Sequence, residues 1–115
     1  NSGEIVWRTP VEGLRSDHSA ISPDGKTFLV SASTARKVQA IDVSTGEIIG
    51  SFESGDQPHE NIYSEDGKKI YHASIGKVFF ASTNLDFLKG DRWFQIVDAN
   101  TYEVIRRVDM KQKLE

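Results

Sequence analysis

The feature of the sequence that most restricts its fold is an internal repeat. The motif SPDGK begins at Ser22, and the related motif SEDGK begins at Ser64, 42 residues later. Alternating polar and apolar residues follow each motif, a pattern typical of β-strands. Asp-Gly between two such runs is a strong hairpin signal, since glycine accepts the positive φ of a tight turn. The repeat therefore predicts a β-hairpin in each copy.

A second repeated unit follows each hairpin. The segment KVQAIDVSTGEII, from Lys37, returns as WFQIVDANTYEVI from Trp93, 56 residues later. Because 56 exceeds the hairpin spacing of 42, the second copy must hold an insertion, which we assign to residues 77–92. No segment of adequate length shows a convincing helical period. The chain is therefore predicted to be all-β.

Each copy is predicted to contain four strands, A to D. Residues 1–13 include GEIV, which matches GEII further on, and are interpreted as the last strand of a preceding unit. Units of four strands at this period are typical of β-propeller blades. The prediction is a partial β-propeller with one leading outer strand and two four-stranded antiparallel blades, at 14–55 and 56–110, with a tail at 111–115. The strands are expected at 17–22, 27–33, 37–43 and 47–53, and at 58–63, 69–75, 93–99 and 103–109.

The residues also resemble a known family. The pattern SPDGKTFLVSAS followed by VQAIDVSTGEIIGSFESGDQP resembles the YVTN-type repeats of seven-bladed, cytochrome-d1-like propellers, and GEIVWR near the start is similar to quinoprotein repeats. The resemblance covers almost the whole chain and implies a ring of about seven blades. The second blade departs from the pattern, with Glu65 in place of Pro23 and Tyr102 in place of the turn residue Gly46. Asn100 is expected to take the left-handed conformation in that turn instead.

Charge, composition and exposed surface restrict the partners. A net charge of −3 without a basic stripe argues against nucleic acid. No run approaches the roughly 18 apolar residues of a membrane span, so no membrane partner is expected. A pair of blades would leave sheet faces and an edge exposed, so we expect the remaining blades to come from a longer chain or from another chain.

The protein is predicted to be soluble. Without cysteine or a recognisable signal peptide the sequence does not indicate a cellular compartment, and a mature secreted or periplasmic segment is compatible with it.

Four polar residues are the candidates for chemistry. In propellers the A strand lines the central channel, and the D–A and B–C connections share the face at its mouth. The 42-residue register pairs Asp17 with His59 and His18 with Glu60 at that mouth. A histidine oriented by a carboxylate can act as a general acid or base, and His18 and His59 are candidate metal ligands. Alternatively, the histidine and aspartate side chains at these positions hydrogen-bond neighbouring blades.

Strand alternation limits these candidates. On a regular strand His59 and Asn61 point one way and Glu60 the other, so His59 and Glu60 are not expected to reach one metal ion. No cofactor is evident, and a divalent metal is the option that the histidines leave open. Asn61, Arg15 and Arg92 are candidate ligand-binding residues on the same face. The residues expected to have structural roles are His72, Tyr63 and Tyr71 in blade packing, and Asp42 and Asp98 as turn caps.

The functional hypothesis is a binding or scaffold propeller segment whose channel-mouth face takes a small-molecule, carbohydrate or protein ligand. The alternative is an enzyme on the propeller channel, for which polysaccharide lyases, lactonases and quinoprotein dehydrogenases are the analogies. The insertion is interpreted either as an extended hairpin packed on its own blade or as a lid over the channel mouth.

Overall fold

A computed structural model describes residues 3–13, 16–32, 34–75 and 92–109, with the backbone but not the side chains of residues 16 and 17. The tail at 111–115, Arg15, the side chain of Asp17 and all of the predicted insertion except Arg92 lie outside the described residues. The two interpretations of the insertion therefore remain predictions.

The described residues form two four-stranded antiparallel sheets, as the repeat predicts. Each sheet is a meander in which sequential strands are neighbours, and each strand lies within one residue of its predicted bounds. The described residues contain no helix, and therefore none that could cross a membrane. The first sheet consists of β1 (Ser16–Ile21), β2 (Thr27–Ala32), β3 (Lys37–Asp42) and β4 (Ile48–Glu53), and the second of β5 (Pro58–Tyr63), β6 (Lys69–Ser74), β7 (Trp93–Asp98) and β8 (Val104–Asp109).

The turn between the first two strands of each sheet is built identically in both copies. The Ser22 hydroxyl donates to the Asp24 carboxylate at 2.6 Å, and the same carboxylate accepts from the Lys26 backbone N–H at 3.0 Å. Gly25 has a φ of 74°, which glycine adopts without steric cost. In the second copy Ser64, Asp66 and Gly67 reproduce these bonds and this φ. The hydrogen bonds lower the pKa of the Asp24 and Asp66 carboxyls.

The turn between the last two strands is also shared, with one unexpected residue. Asp42 accepts from the backbone N–H groups of Ser44 and Thr45, and Asp98 repeats the arrangement, which confirms both as turn caps. The expectation that Asn100 would take the left-handed conformation is wrong: Tyr102 takes it, with a φ of 61°. The Tyr102 ring lies over Gly50 of the first sheet, where a Cβ would meet the ring at 2.3 Å. Packing between the sheets therefore holds a bulky residue in a conformation that usually favours glycine.

The core lies between the two sheets. Leu29, Val38 and Phe52 of the first sheet are buried against Ile70 and Val97 of the second. Each fully buried side chain of this size contributes about 1.5–3 kcal/mol relative to exposure. The sheets are therefore packed face to face, with β5 against β1 and β2.

Residues 3–13 form no β-ladder within the described residues. They run along the outer part of the first sheet, where the Trp7 indole N–H donates to the Val43 carbonyl at 2.7 Å. The Glu12 N–H donates to the Gln39 side chain at 2.7 Å, and the Glu12 carboxylate pairs with Lys37 at 2.6 Å. The segment thus contacts the first sheet without joining it as a strand, and its assignment to a preceding blade stays a prediction.

Candidate functional site

The A-type strands β1 and β5 each contain one extra residue at the same position of the repeat. On β1 the pairing moves from Ser16 opposite Ala32 to Ser19 opposite Val30, so three steps on β1 match two on β2. On β5 the pairing moves from Pro58 opposite Ser74 to Glu60 opposite Ala73. Each irregularity is a β-bulge, which bends the strand and changes the direction of its side chains.

The bulges bring three of the predicted residues together. The Nδ1 atom of His18 lies 3.1 Å from Oε1 of Glu60, and Nδ1 of His59 lies 3.5 Å from the same oxygen. The two imidazole rings are in contact, with centroids 3.7 Å apart and their planes tilted by 41° to each other. The prediction that His59 and Glu60 point to opposite sides is wrong, because the bulge interrupts the alternation of a regular strand. We call His18, His59 and Glu60 the histidine cluster.

The histidine cluster is open to solvent. The side chains of His18, His59 and Glu60 are 45%, 34% and 54% exposed. An exposed ion pair contributes only about 0–1 kcal/mol, so the cluster adds little to stability. Part of each side chain is therefore in contact with solvent.

The cluster lies at one end of the sheets, where the connections meet. Ser54 donates its N–H to the Arg36 carbonyl at 3.0 Å, and Ile75 donates its N–H to the Gln57 carbonyl at 3.3 Å. These bonds join the described parts of the B–C connections to the D–A connection. We call this end the loop end.

A buried network supports the backbone behind the cluster. His72 is fully buried, and its Nδ1 lies 2.9 Å from the Asn61 side-chain oxygen and 3.1 Å from the Glu60 carbonyl. Both neighbours are acceptors, so Nδ1 carries the proton and Nε2 accepts from the Ser74 hydroxyl at 3.0 Å. Ser74 in turn accepts from the Gly55 N–H at 2.8 Å. Burial lowers the pKa of His72 to about 4, which keeps the ring neutral as these bonds require.

The same network crosses to the first sheet. The Asn61 amide donates to the Ser31 hydroxyl at 2.9 Å, and Ser31 donates to the His59 carbonyl at 3.2 Å. The carbonyls of both bulge residues on β5 are thus held by buried side chains, one by Ser31 and the other by His72. The prediction of His72 as a packing residue is confirmed, but its hydrogen-bonding role was not evident from the sequence.

Asn61 and Arg92, two of the predicted ligand-binding residues, are not members of the histidine cluster. Asn61 is buried, and its side-chain oxygen and nitrogen both have protein partners. Arg92 has a buried Nε without a hydrogen-bond partner among the described residues. A ligand-binding role for either stays a prediction. No described residue outside the histidine cluster belongs to a group of three or more side chains that could ligate a metal.

A groove of about 480 Å³ lies at the loop end, lined by residues that include Arg36, Ser54 and Trp93. The guanidinium carbons of Arg107 and Arg36 lie 3.7 Å and 6.0 Å from the centroid of the Trp93 ring. Arg36 pairs with Asp56 at 3.4 Å, and Lys37, which also lines the groove, pairs with Glu12. Arg107 donates from Nε to the Gln95 side-chain oxygen at 2.7 Å.

Known structures share this architecture. The chain superposes on hydrazine synthase from Kuenenia stuttgartiensis with a TM-score of 0.66 and 23% identity, over 84% of this chain and 24% of that one. It superposes on a protein of unknown function from Bacteroides caccae with a TM-score of 0.57 and 16% identity, over 81% and 28% of the two chains. A 6-phosphogluconolactonase-like protein from Bacteroides uniformis gives a TM-score of 0.51 and 20% identity, over 77% and 24%.

These likenesses concern the fold alone. The neighbours include propeller-type folds, and the chain spans about a quarter of the length of each. No family model and no curated protein matches the sequence. The two sheets are consistent with two blades of a partial β-propeller, and the YVTN assignment stays a prediction.

Proposed function

We propose that this chain is a binding segment of a β-propeller and that the histidine cluster at the loop end anchors the ligand. The observation that carries the proposal is the pair of matched bulges, which direct His18, His59 and Glu60 to one point. Bulges are features that re-aim side chains next to functional sites. Here they expose polar groups instead of burying them, so the arrangement serves recognition better than stability.

The second part of the proposal is that a further four-stranded blade packs on the face of the second sheet that points away from the first sheet. In the first sheet Leu29, Val38, Ala40 and Phe52 are buried by the second sheet. Their repeat equivalents on the second sheet form an apolar face, with Tyr71 37% and Phe94 38% exposed. A face that repeats a blade-covered surface is suited to another blade. The equivalents are Tyr71, Phe94, Ile96 and Val108.

The ligand is expected to be a small molecule, a carbohydrate or a protein segment. The test is a thermal-shift screen of the full chain against uronic acids, other carboxylic acids and oligosaccharides, with each hit measured again on His18→Ala and His59→Ala. We expect at least a tenfold loss of affinity for both variants. Stability should change by no more than about 0.5 kcal/mol, because both side chains are partly exposed.

Glu65→Gln is the matched control, since Glu65 is an exposed carboxylate in the hairpin turn of the second sheet. It should leave the affinity unchanged. Equal affinity of the wild type and both histidine variants for every hit would contradict the proposed site.

An enzyme is the second candidate, favoured by the contact between Glu60 and His18. A carboxylate oxygen 3.1 Å from an imidazole nitrogen can orient the ring for proton transfer. Turnover of a uronate oligosaccharide or a lactone by the full chain, lost in both His18→Ala and Glu60→Gln, would favour the enzyme. Binding without turnover would favour the recognition role.

A further inference from the structure

The histidine cluster brings three potential metal-ligand atoms close together. One atom from each of His18, His59 and Glu60 can be chosen so that all three lie within 4.8 Å of one another. A tetrahedral ion with bonds of about 2.0–2.1 Å separates neighbouring ligand atoms by about 3.4 Å. The distances from Glu60 Oε1 to the two Nδ1 atoms are 3.1 Å and 3.5 Å, close to this value.

The donor types select the class of metal. Two imidazole nitrogens and one carboxylate oxygen suit borderline transition metals such as Zn²⁺, Co²⁺ and Ni²⁺. Ca²⁺ and Mg²⁺ prefer oxygen ligands alone and would gain little from the two imidazoles. Three protein ligands leave at least one tetrahedral position for water or for an exogenous ligand.

The backbone around the ligands is already held in place. The Ser31 hydroxyl donates to the His59 carbonyl, and the protonated Nδ1 of His72 faces the Glu60 carbonyl. These contacts keep the bulge on β5 that directs both side chains toward His18. The ordering cost of metal binding is then limited largely to the exposed side chains.

We propose that His18 Nδ1, His59 Nδ1 and a Glu60 carboxylate oxygen bind one divalent transition-metal ion at the loop end, with a fourth position open to solvent. This inference adds a metal ion to the proposed binding site and rests on the proposed function. The metal would neutralise Glu60 and would present a Lewis-acidic position to a carboxylate or hydroxyl ligand.

The experiment uses the full chain, stripped with a chelator and titrated with Co²⁺ alone. We expect one equivalent to bind, with the intense visible absorption of a four-coordinate site, and Zn²⁺ to displace it. His18→Ala, His59→Ala and Glu60→Gln should each weaken Co²⁺ binding at least tenfold. Glu65→Gln should bind as the wild type does, and unfolding curves of all variants verify that they are folded.

A second measurement tests which nitrogens bind the ion. Ligation through Nδ1 leaves the proton on Nε2, so nitrogen NMR of His18 and His59 with Zn²⁺ should show the Nε2–H tautomer. Ligation through Nε2 in both rings, no saturable Co²⁺ binding by the wild type, or binding by the three variants equal to the wild type would each overturn the inference. If Co²⁺ does not bind while the organic ligands still depend on the histidines, the metal site alone fails.

Discussion

At the scale of single residues, His72 has the largest consequence for the molecule. Its neutral ring is buried between the sheets, and the folded-state pKa is lowered from 6.5 to about 4. A proton that binds the unfolded chain near pH 6.5 binds the folded chain only near pH 4. Between these values the unfolded state holds more protons, so stability falls as the pH falls.

We therefore predict that the free energy of unfolding decreases by about 3 kcal/mol between pH 6.5 and pH 4. Urea unfolding across this range measures it. His72→Gln should be less stable at neutral pH and should lose most of the slope, whereas His18→Ala should keep it. A slope that survives in His72→Gln would assign the pH dependence to other groups.

Two features of single residues could not be predicted from the sequence. Alternation predicted opposite directions for His59 and Glu60, because a bulge appears only when two strands are counted against each other. Residue type favours Asn100 for the positive φ of the last turn, yet Tyr102 has the positive φ, because its ring packs over Gly50 of the other sheet. The first error comes from the register of β5 on β6, and the second from packing between the two sheets.

At the scale of elements, the sequence repeat predicts most of the fold. The recurring SPDGK and SEDGK turns and the second repeated unit located all eight strands of the described residues, since turn chemistry and alternation are local properties. The pairing order followed because neighbouring strands joined by short turns form antiparallel meanders. What the elements did not predict was the convergence of the histidine cluster, which needs two bulges and the packing of β5 on β1.

The two hairpin turns give an internal comparison. Pro23 and Glu65 occupy the same position of otherwise equivalent turns. Proline at this position restricts the unfolded chain without removing a bond that the turn uses, so we predict that Glu65→Pro stabilises the protein by about 0.4–1 kcal/mol. Chemical unfolding measures the change.

Pro23→Glu is the reciprocal control, and it should destabilise the protein. The Pro23 ring also approaches the second turn, 3.6 Å from where a Cβ on Gly67 would lie. The loss should therefore be at least as large as the gain from Glu65→Pro. Destabilisation by Glu65→Pro would mean that the two turns are not equivalent.

At the scale of the whole molecule, the face of the second sheet that points away from the first sheet is where we expect a further blade to pack. If a further blade covers this face in the full protein, Phe94→Asp should destabilise it by at least about 3 kcal/mol. Val38→Asp, at the equivalent buried position of the first sheet, should cost a similar amount. Thermal or chemical unfolding of the full protein measures both.

Ile105→Asp is the control for that comparison. Its repeat equivalent, Ile49, stays 47% exposed although a blade is docked beside it, so Ile105 should tolerate the change within about 0.5 kcal/mol. A Phe94→Asp protein as stable as Ile105→Asp would show that no blade covers the face.

The buried network between the sheets has a fixed polarity. It starts at the Gly55 N–H, which can only donate, and ends at the His59 carbonyl, which can only accept. Every hydroxyl, ring and amide between these two ends therefore has one permitted proton arrangement, and reversing any member sets two donors or two acceptors against each other. Asn61→Asp nearly preserves the shape of the side chain but replaces the amide group that donates to Ser31 with an oxygen that can only accept. Ser31 already donates to the His59 carbonyl, so a change at position 61 requires a matching change in its partners.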